Sequence, residues 1–221
     1  MSLLNSIAIK NGTDKSSEIH NYCTKYEKYL PFNRYENLSI LEIGVFNGES
    51  LKTWKDFYYN AKITGIDIEP HCKQYEDSSN NIFVEIGSQY DKDFLINTAL
   101  KHGKFDMILD DGSHMNHHVI FSFKYLWDSI KSGGVYVVED TSCSYWELWG
   151  GGYKKEGTMV EYFKNLTDDV NFRGLQNFNM PNVNARREDW LTDLSNQVQP
   201  DCVTDIESIN FLNGIIIITK R

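Results

Sequence analysis

Five apolar runs of strand length, separated by longer segments of helical spacing, constrain this chain more than any other feature. The runs are Ser39–Ile43, Lys62–Ile68, Ile82–Glu85, Phe105–Asp110 and Gly134–Asp140. Between them, Ser50–Phe57, Asp91–His102 and His117–Ile130 place apolar residues three and four apart, the pattern of helices lying on a sheet. A β-α-β-α order of this kind predicts an α/β fold with a mainly parallel sheet and right-handed crossovers. The end of the chain departs from it. Ile206–Phe211 alternates by two, and Asn213-Gly214 leads into the wholly apolar Ile215–Ile218. Asn-Gly between two such runs signals a hairpin, and an all-apolar strand suits a central position covered on both faces. The expectation is a mainly parallel seven-stranded sheet closed by a C-terminal antiparallel hairpin. The 221 residues suit one domain spanning 1–221, with 1–37 as an N-terminal cap segment and 141–200 as a lid region on the acceptor side.

Composition narrows the partners. The net charge of -9 disfavours nucleic acid and anionic lipid, whose phosphates would be repelled. No apolar stretch is long enough to span a bilayer, and the N-terminus lacks the layout of a signal peptide. Cys23, Cys72, Cys143 and Cys202 form no C-x-x-C pair and read as reduced thiols. Together these predict a cytoplasmic protein, as a monomer or a homo-oligomer, acting on a small molecule or a glycan.

Leu41-Glu42-Ile43-Gly44-Val45-Phe46-Asn47-Gly48-Glu49-Ser50 is a strand feeding a glycine turn that opens a helix. Gly44 permits a sharp turn and close approach of a ligand, and the N–H groups at the helix start suit a carboxylate or phosphate. Turns of this kind also occur for structural reasons. Asp67, about 20 residues downstream at the end of the second strand, stands where an acid accepts hydrogen bonds from ribose hydroxyls, and would serve otherwise as a helix cap. The third glycine of a dinucleotide fingerprint is missing, which points to an adenosine carrying an amino acid rather than a pyrophosphate.

Asp110-Asp111-Gly112-Ser113-His114 follows the fourth strand, and Glu139-Asp140 ends the fifth. Adjacent strands lie about 4.8 Å apart, so these acids converge at the carboxyl edge, where open α/β sheets bind ligands. Such a group repels itself unless it is protonated or neutralised by a cation. Hard oxygen donors favour Mg²⁺ or Mn²⁺, with Asp111, Glu139 and Asp140 as candidate ligands. His114 lies in the same turn, and histidine is the side chain suited to accept a hydroxyl proton. Acidic strand ends without a metal are also common.

In combination these residues resemble the Mg²⁺-dependent sugar O-methyltransferases of macrolide biosynthesis, of the mycinamicin and macrocin type. Relatives of that family are often described as cephalosporin hydroxylases. The resemblance runs from Asn11-Gly12-Thr13-Asp14-Lys15 through L-E-I-G-V, G-I-D-I and D-D-G-S-H to Val138-Glu139-Asp140. It implies a Rossmann-like methyltransferase using S-adenosylmethionine. Asp111, Glu139 and Asp140 match its metal acids, and His114 its base, with Asp111 counted as catalytic too. Glu42, Gly44 and Asp67 match the cofactor site, with Asp110 counted on that side. Thr13, Asp14 and Lys15 match a segment packed near the methionine end of the cofactor, and Ser88 and Gln89 fall in its adenine-side loop. Thr13 or Asp14 would serve equally as a helix N-cap.

The implied reaction is metal-dependent methyl transfer to a hydroxyl of a sugar or glycoconjugate. The macrolide enzymes carry a large N-terminal auxiliary domain with no counterpart in this sequence, so a nucleotide-linked or polysaccharide sugar fits as well as a macrolide. Two alternatives stay open: an O- or N-methyltransferase acting on a non-sugar small molecule, and a catalytically inactive module that binds S-adenosylmethionine. A NAD-dependent oxidoreductase fits less well, and no His-carboxylate facial set supports a literal hydroxylase.

Overall fold

A computed structural model describes residues 2–171, 203 and 205–221. Its seven strands are β1 (Ser39–Ile43), β2 (Lys62–Asp67), β3 (Ile82–Ile86), β4 (Phe105–Asp110), β5 (Ile130–Val138), β6 (Ile206–Leu212) and β7 (Ile215–Lys220). They form one sheet in the order β3-β2-β1-β4-β5-β7-β6. The pairs from β3 through β5 are parallel, and β7 runs antiparallel to both β5 and β6. This is the sheet of a Rossmann-like methyltransferase. The order reverses direction at β1, so the carboxyl ends of β1 and β4 flank the switch point where such sheets bind ligands.

The apolar runs explain the burial. Side chains alternate between the two faces of a strand, and both faces here are covered. Ile40, Met107, Leu109, Val135, Val137, Ile215 and Ile217 join one core. Leu41, Ile43, Ile108, Tyr136, Val138, Ile216 and Ile218 join the other. Each fully buried aliphatic contributes about 1.5–3 kcal/mol relative to exposure. The first core is closed by α1 (Leu3–Asn11), α2 (Cys23–Tyr29) and α3 (Glu49–Phe57), through residues such as Leu4, Tyr26 and Trp54. The second is closed by α4 (Lys92–His102), α5 (Asn116–Leu126) and α6 (Met159–Asn165), through Leu95, Phe123 and Phe163. A short α7 (Thr167–Val170) follows.

Two boundaries differ from the sequence expectation. Helical spacing was expected to continue to Ile130, but α5 stops at Leu126, a short 3-10 turn covers Trp127–Ser129, and Ile130 already begins β5. At its other end β5 stops at Val138; the Glu139 amide still donates to the Asp110 carbonyl at 3.0 Å, and the backbone turns at Asp140. The hairpin has the expected two-residue turn, with Gly214 at φ 79.

Within 141–200, residues 141–171 are described and the remainder of the expected lid lies outside the described residues. The described part is fastened. Asn116 donates to the Trp149 carbonyl at 2.8 Å and accepts from the Ser144 hydroxyl at 3.1 Å and the Met159 amide at 2.8 Å. A Cβ on Gly151 would lie 2.6 Å from the Cys143 carbonyl oxygen, so that glycine serves close packing. Cys23, Cys72 and Cys143 are buried free thiols; Cys202 lies outside the described residues. Among the described residues, no helix is long and apolar enough to cross a membrane.

Candidate active site

The carboxyl ends of β1 to β5 open onto a cleft of about 670 Å³, a volume ordinary for a small-molecule site. Thr13, Asp14, Lys15, Gly44, Asp67, Ser88, Gln89, Asp111, His114 and Asp140 all line it. The structure therefore brings most of the residues singled out in the sequence to one place. Glu42, Asp110 and Glu139 lie behind its wall, at 0%, 1% and 2% exposure.

The glycine turn at the end of β1 is held by Asp67. Its Oδ2 accepts from the amides of Val45 at 2.8 Å and Phe46 at 3.0 Å, and its Oδ1 from the Glu69 amide at 2.9 Å. Burial raises the Asp67 pKa, but these three backbone donors outweigh it and hold the carboxyl below the usual range. Asp67 is thus a fixed negative charge within the cleft and the organiser of the β1–α3 turn. Gly44 adopts φ 96, and a Cβ there would overlap the Asp111 carbonyl oxygen. Its freedom lets β1 and the β4 turn close on each other at the cleft wall. Gly48 caps α3 at φ 77, and a Cβ there would meet the Tyr75 ring.

The acids form two tiers. In the outer tier, Asp111, His114 and Asp140 offer ligand atoms within 4.8 Å of one another. Their side chains are 18%, 27% and 22% exposed, and His114 Nε2 lies 3.6 Å from Asp140 Oδ2. His114 and Asp140 both adopt left-handed backbone, at φ 56 and φ 49. His and Asp tolerate that region better than most residues, and such conformations concentrate at functional sites.

In the inner tier, the buried Lys15 ammonium bonds Asp111 and Glu139, the latter at 2.9 Å, and lies 3.6 Å from Glu42 Oε1. Tyr26 donates its hydroxyl to the other Glu139 oxygen. The expected metal trio is therefore distributed differently. Asp111 and Asp140 group with His114, whereas Glu139 faces Lys15 and Tyr26. Neither carboxylate oxygen of Glu42 has a hydrogen-bond partner among the described residues, and burial pushes its pKa up to about 7. Burial, followed by the Asp111 charge, drives Glu139 well above the ordinary range. Burial opposes the Lys15 ammonium, but the charges of Asp111, Glu139 and Glu42 overcome this and hold its pKa well above ordinary.

Lys15 reaches this place through a fixed loop. Gly12 caps the C-terminus of α1 in left-handed conformation, its amide donating to Ala8 and Ile9. The Lys15 carbonyl then accepts from the amides of Tyr22 at 2.9 Å and Cys23 at 3.1 Å, where α2 begins. The Thr13–Lys15 segment follows a C-cap and does not act as the helix N-cap weighed in the sequence. Lys15 itself belongs with the acids.

Asp110 requires a correction. It is not placed to touch a cofactor, because its carboxylate points inward. It accepts from Ser122, from Tyr136 at 3.0 Å and from Gln89 Nε2 at 3.1 Å, and burial pushes its pKa up to about 6. Gln89 lines the cleft, yet its side chain ties Asp110 to the next turn, accepting from the Ser113 amide at 2.7 Å. Ser88 accepts from the Tyr90 amide at 3.1 Å and lines the same cleft wall. Sequence reasoning missed Tyr22 and Tyr26. Their signal was a four-residue spacing that puts both on one helix face, beside a lysine with no obvious partner.

Comparison with known proteins agrees with this geometry. Residues 41–141 match a family model described as a methyltransferase domain. The chain is 33% identical over 182 residues to a demethylmacrocin O-methyltransferase of Streptomyces fradiae, covering 78% of this chain and 45% of that protein. It is 32% identical over 175 residues to an 8-demethyl-8-alpha-L-rhamnosyl tetracenomycin-C 2'-O-methyltransferase of Streptomyces olivaceus, covering 76% and 45%. The chain thus spans about half the length of the curated relatives it matches. Among solved structures, it superposes on the MycE methyltransferase of the mycinamycin pathway, in complex with Mg and SAH, with TM-score 0.79 and 26% identity. That match covers 99% of this chain and 55% of the other.

Proposed function

We propose that this chain, which carries a methyltransferase domain on a Rossmann-like methyltransferase sheet, transfers a methyl group from S-adenosylmethionine to a sugar hydroxyl with the help of a divalent cation. One observation carries the reading: Asp111, His114 and Asp140 gather at one end of the cleft that Asp67 also lines. A cofactor held by its ribose at Asp67 and its amino-acid part near Thr13–Lys15 would direct its methyl group toward that cluster. The relatives support a sugar acceptor, since one name specifies the 2'-hydroxyl of a rhamnosyl glycoside.

The donor set fits Mg²⁺ or Mn²⁺. Asp111 and Asp140 present hard oxygens on the open side, and three carboxylates, Glu42, Asp111 and Glu139, share the Lys15 ammonium behind them. Glu139 stands behind Asp140 in the chain and completes the acid set from the inner side. A bound cation would supply charge stabilisation to a sugar oxygen losing its proton. Asp111 and Asp140 would hold the acceptor end of the site, and Asp67 the ribose. His114 would take the hydroxyl proton on Nε2, with Asp140 orienting the ring. Gln89 and Asp110 would keep the Gly112–His114 turn in register from behind. Trp146 and Tyr145, about half exposed after Asp140, provide an apolar surface for the rest of the acceptor.

The test is transfer of labelled methyl from S-adenosylmethionine to a panel of glycosides, nucleotide sugars and glycan extracts, with Mg²⁺ or with EDTA. Cation-dependent label in a sugar is the expected result. Transfer to aromatic diols alone would move the assignment to a non-sugar acceptor. Calorimetry without any S-adenosylmethionine binding would remove the methyltransferase reading altogether.

A further inference from the structure

We infer that the Lys15 ammonium is a built-in counter-cation filling the inner half of the acid site, where a second divalent ion would otherwise sit, so that one exchangeable metal position remains. The inference rests on the proposed cation position for its outer half. The inner half stands on contacts alone.

The Lys15 ammonium meets three carboxylates: it bonds Asp111 and Glu139, the latter at 2.9 Å, and lies 3.6 Å from Glu42. Its side chain is 3% exposed, against 0% for Glu42 and 2% for Glu139. Two buried carboxylates lacking a cation would each carry a large desolvation cost. Among the described residues neither Glu42 oxygen is in hydrogen-bond geometry with a donor, and the Lys15 ammonium at 3.6 Å is the cation that faces it. Three carboxylates converging on one point from separate strands form the donor arrangement of a metal site, here occupied by an ammonium. Asp111 belongs to both tiers, bonding Lys15 inward while grouping with His114 and Asp140 outward.

Lysine differs from a metal in that no chelator removes it. The main chain delivers it through the Gly12 cap and the carbonyl bonds to α2, so the inner acids stay assembled whether or not the outer position is filled. Lys15 is therefore a positioning residue: it fixes Asp111 and Glu139 and limits the metal count.

The experiment compares the whole chain with Lys15→Met and with Lys15→Met/Glu139→Gln, using Mn²⁺ titration and thermal melting in EDTA. The native chain is expected to take up about one Mn²⁺, and Lys15→Met a second one in the vacated inner half. In EDTA, Lys15→Met should melt lower by on the order of 10 °C, from unpaired buried charge. Adding Glu139→Gln, which removes one of those charges, should recover much of the loss. Lys15→Met with unchanged Mn²⁺ stoichiometry and affinity overturns the inference, and so does a double variant that melts no higher than the single one. If Lys15→Met does not fold, the double variant decides: folding supports the counter-cation role, and failure to fold overturns it. A native chain that takes up no Mn²⁺ defeats the metal reading of the proposed function and the metal-count half of this inference. The melting series in EDTA still judges the counter-cation role.

Discussion

Tyr22 donates its hydroxyl to Oδ1 of Asp140 across 2.6 Å, joining residues 118 positions apart. The same ring lies over the hairpin turn, where a Cβ on Gly214 would come within 2.7 Å of the hydroxyl oxygen. Lys25 extends the junction by donating to the Asn213 carbonyl at 2.8 Å. Burial, then the bond to Asp140, raises the Tyr22 pKa far above ordinary, so the hydroxyl stays a donor. The N-terminal segment, the β6–β7 hairpin and the acid after β5 are thus fastened at one point.

Tyr22→Phe isolates this fastening, since it keeps the ring on Gly214 and deletes only the donor. Partners that orient metal ligands typically govern affinity by about 10–100-fold. Mn²⁺ affinity, measured by calorimetry, is expected to fall toward that range with only a few degrees lost in melting temperature. Native affinity in the variant would show that Asp140 needs no orientation from Tyr22.

Asp67→Ala removes the proposed ribose partner and, with it, the acceptor for three backbone amides. The affinity for S-adenosylmethionine should fall by about 1.5–3 kcal/mol, as for a lost bond to a charged group. The β1–α3 turn should loosen too, so melting temperature is measured beside calorimetric affinity. A folded variant with native affinity removes Asp67 from the cofactor contacts and leaves it as the turn's organiser.

The contrast between what the chain disclosed and what it did not has a physical basis. Central strands covered on both faces need largely apolar runs whichever way they point, so β1, β4 and β7 stood out from the hydropathy pattern alone. Acids at their ends were visible for the same reason, since Glu139 and Asp140 follow directly on such a run. The orientation of each acid was not visible, because it depends on partners brought in by the fold. Asp110 and Asp111 are neighbours, yet one turns inward to Ser122 and Tyr136 while the other faces Lys15 and the cleft. Helix α1 was legible and overlooked, with Leu4 and Ala8 four apart between a Ser2 N-cap and a Gly12 C-cap. The end of α5 was not, because Trp127 and Ile130 continue the helical spacing after the chain has left the helix.

The pH dependence of stability should show at Asp205, far from the cleft. Its carboxylate accepts from Trp127 Nε1 at 2.7 Å and lies 3.1 Å from Lys220 Nζ. Burial raises its pKa, but the bonds to Trp127 and Lys220 outweigh burial and hold it below the usual value. A carboxyl depressed in the folded state stabilises above its unfolded pKa of about 3.9, and the contribution disappears as pH falls through the folded value. Asp205→Asn should therefore lower the melting temperature at neutral pH, with the difference from the native chain closing below about pH 4. A difference that stays constant from pH 7 to pH 3 would assign the effect to packing around Trp127 instead of charge.

His114 is the residue whose role the geometry divides most finely, because its Nε2 lies 3.6 Å from Asp140 and a nitrogen of the same ring belongs to the group that could hold a cation. A base needs its ring nitrogen free to take a proton, and a ligand needs the same nitrogen occupied. The two roles therefore exclude each other at any one nitrogen and predict different results. As the base, His114→Ala should cut turnover by roughly 10²–10⁴, while Mn²⁺ and S-adenosylmethionine affinities stay near native. As a ligand, Mn²⁺ affinity should fall together with turnover, and excess Mn²⁺ should restore part of the rate. The base assignment predicts that no Mn²⁺ concentration restores the rate, whereas a small exogenous base such as imidazole, entering the space left by the ring, recovers some of it. The left-handed backbone at φ 56 supplies a control, since His114→Asn keeps a residue that tolerates this conformation but offers no base. Turnover equally low in the Asn and Ala variants, with Mn²⁺ still bound, places the lost function in the imidazole and not in the turn.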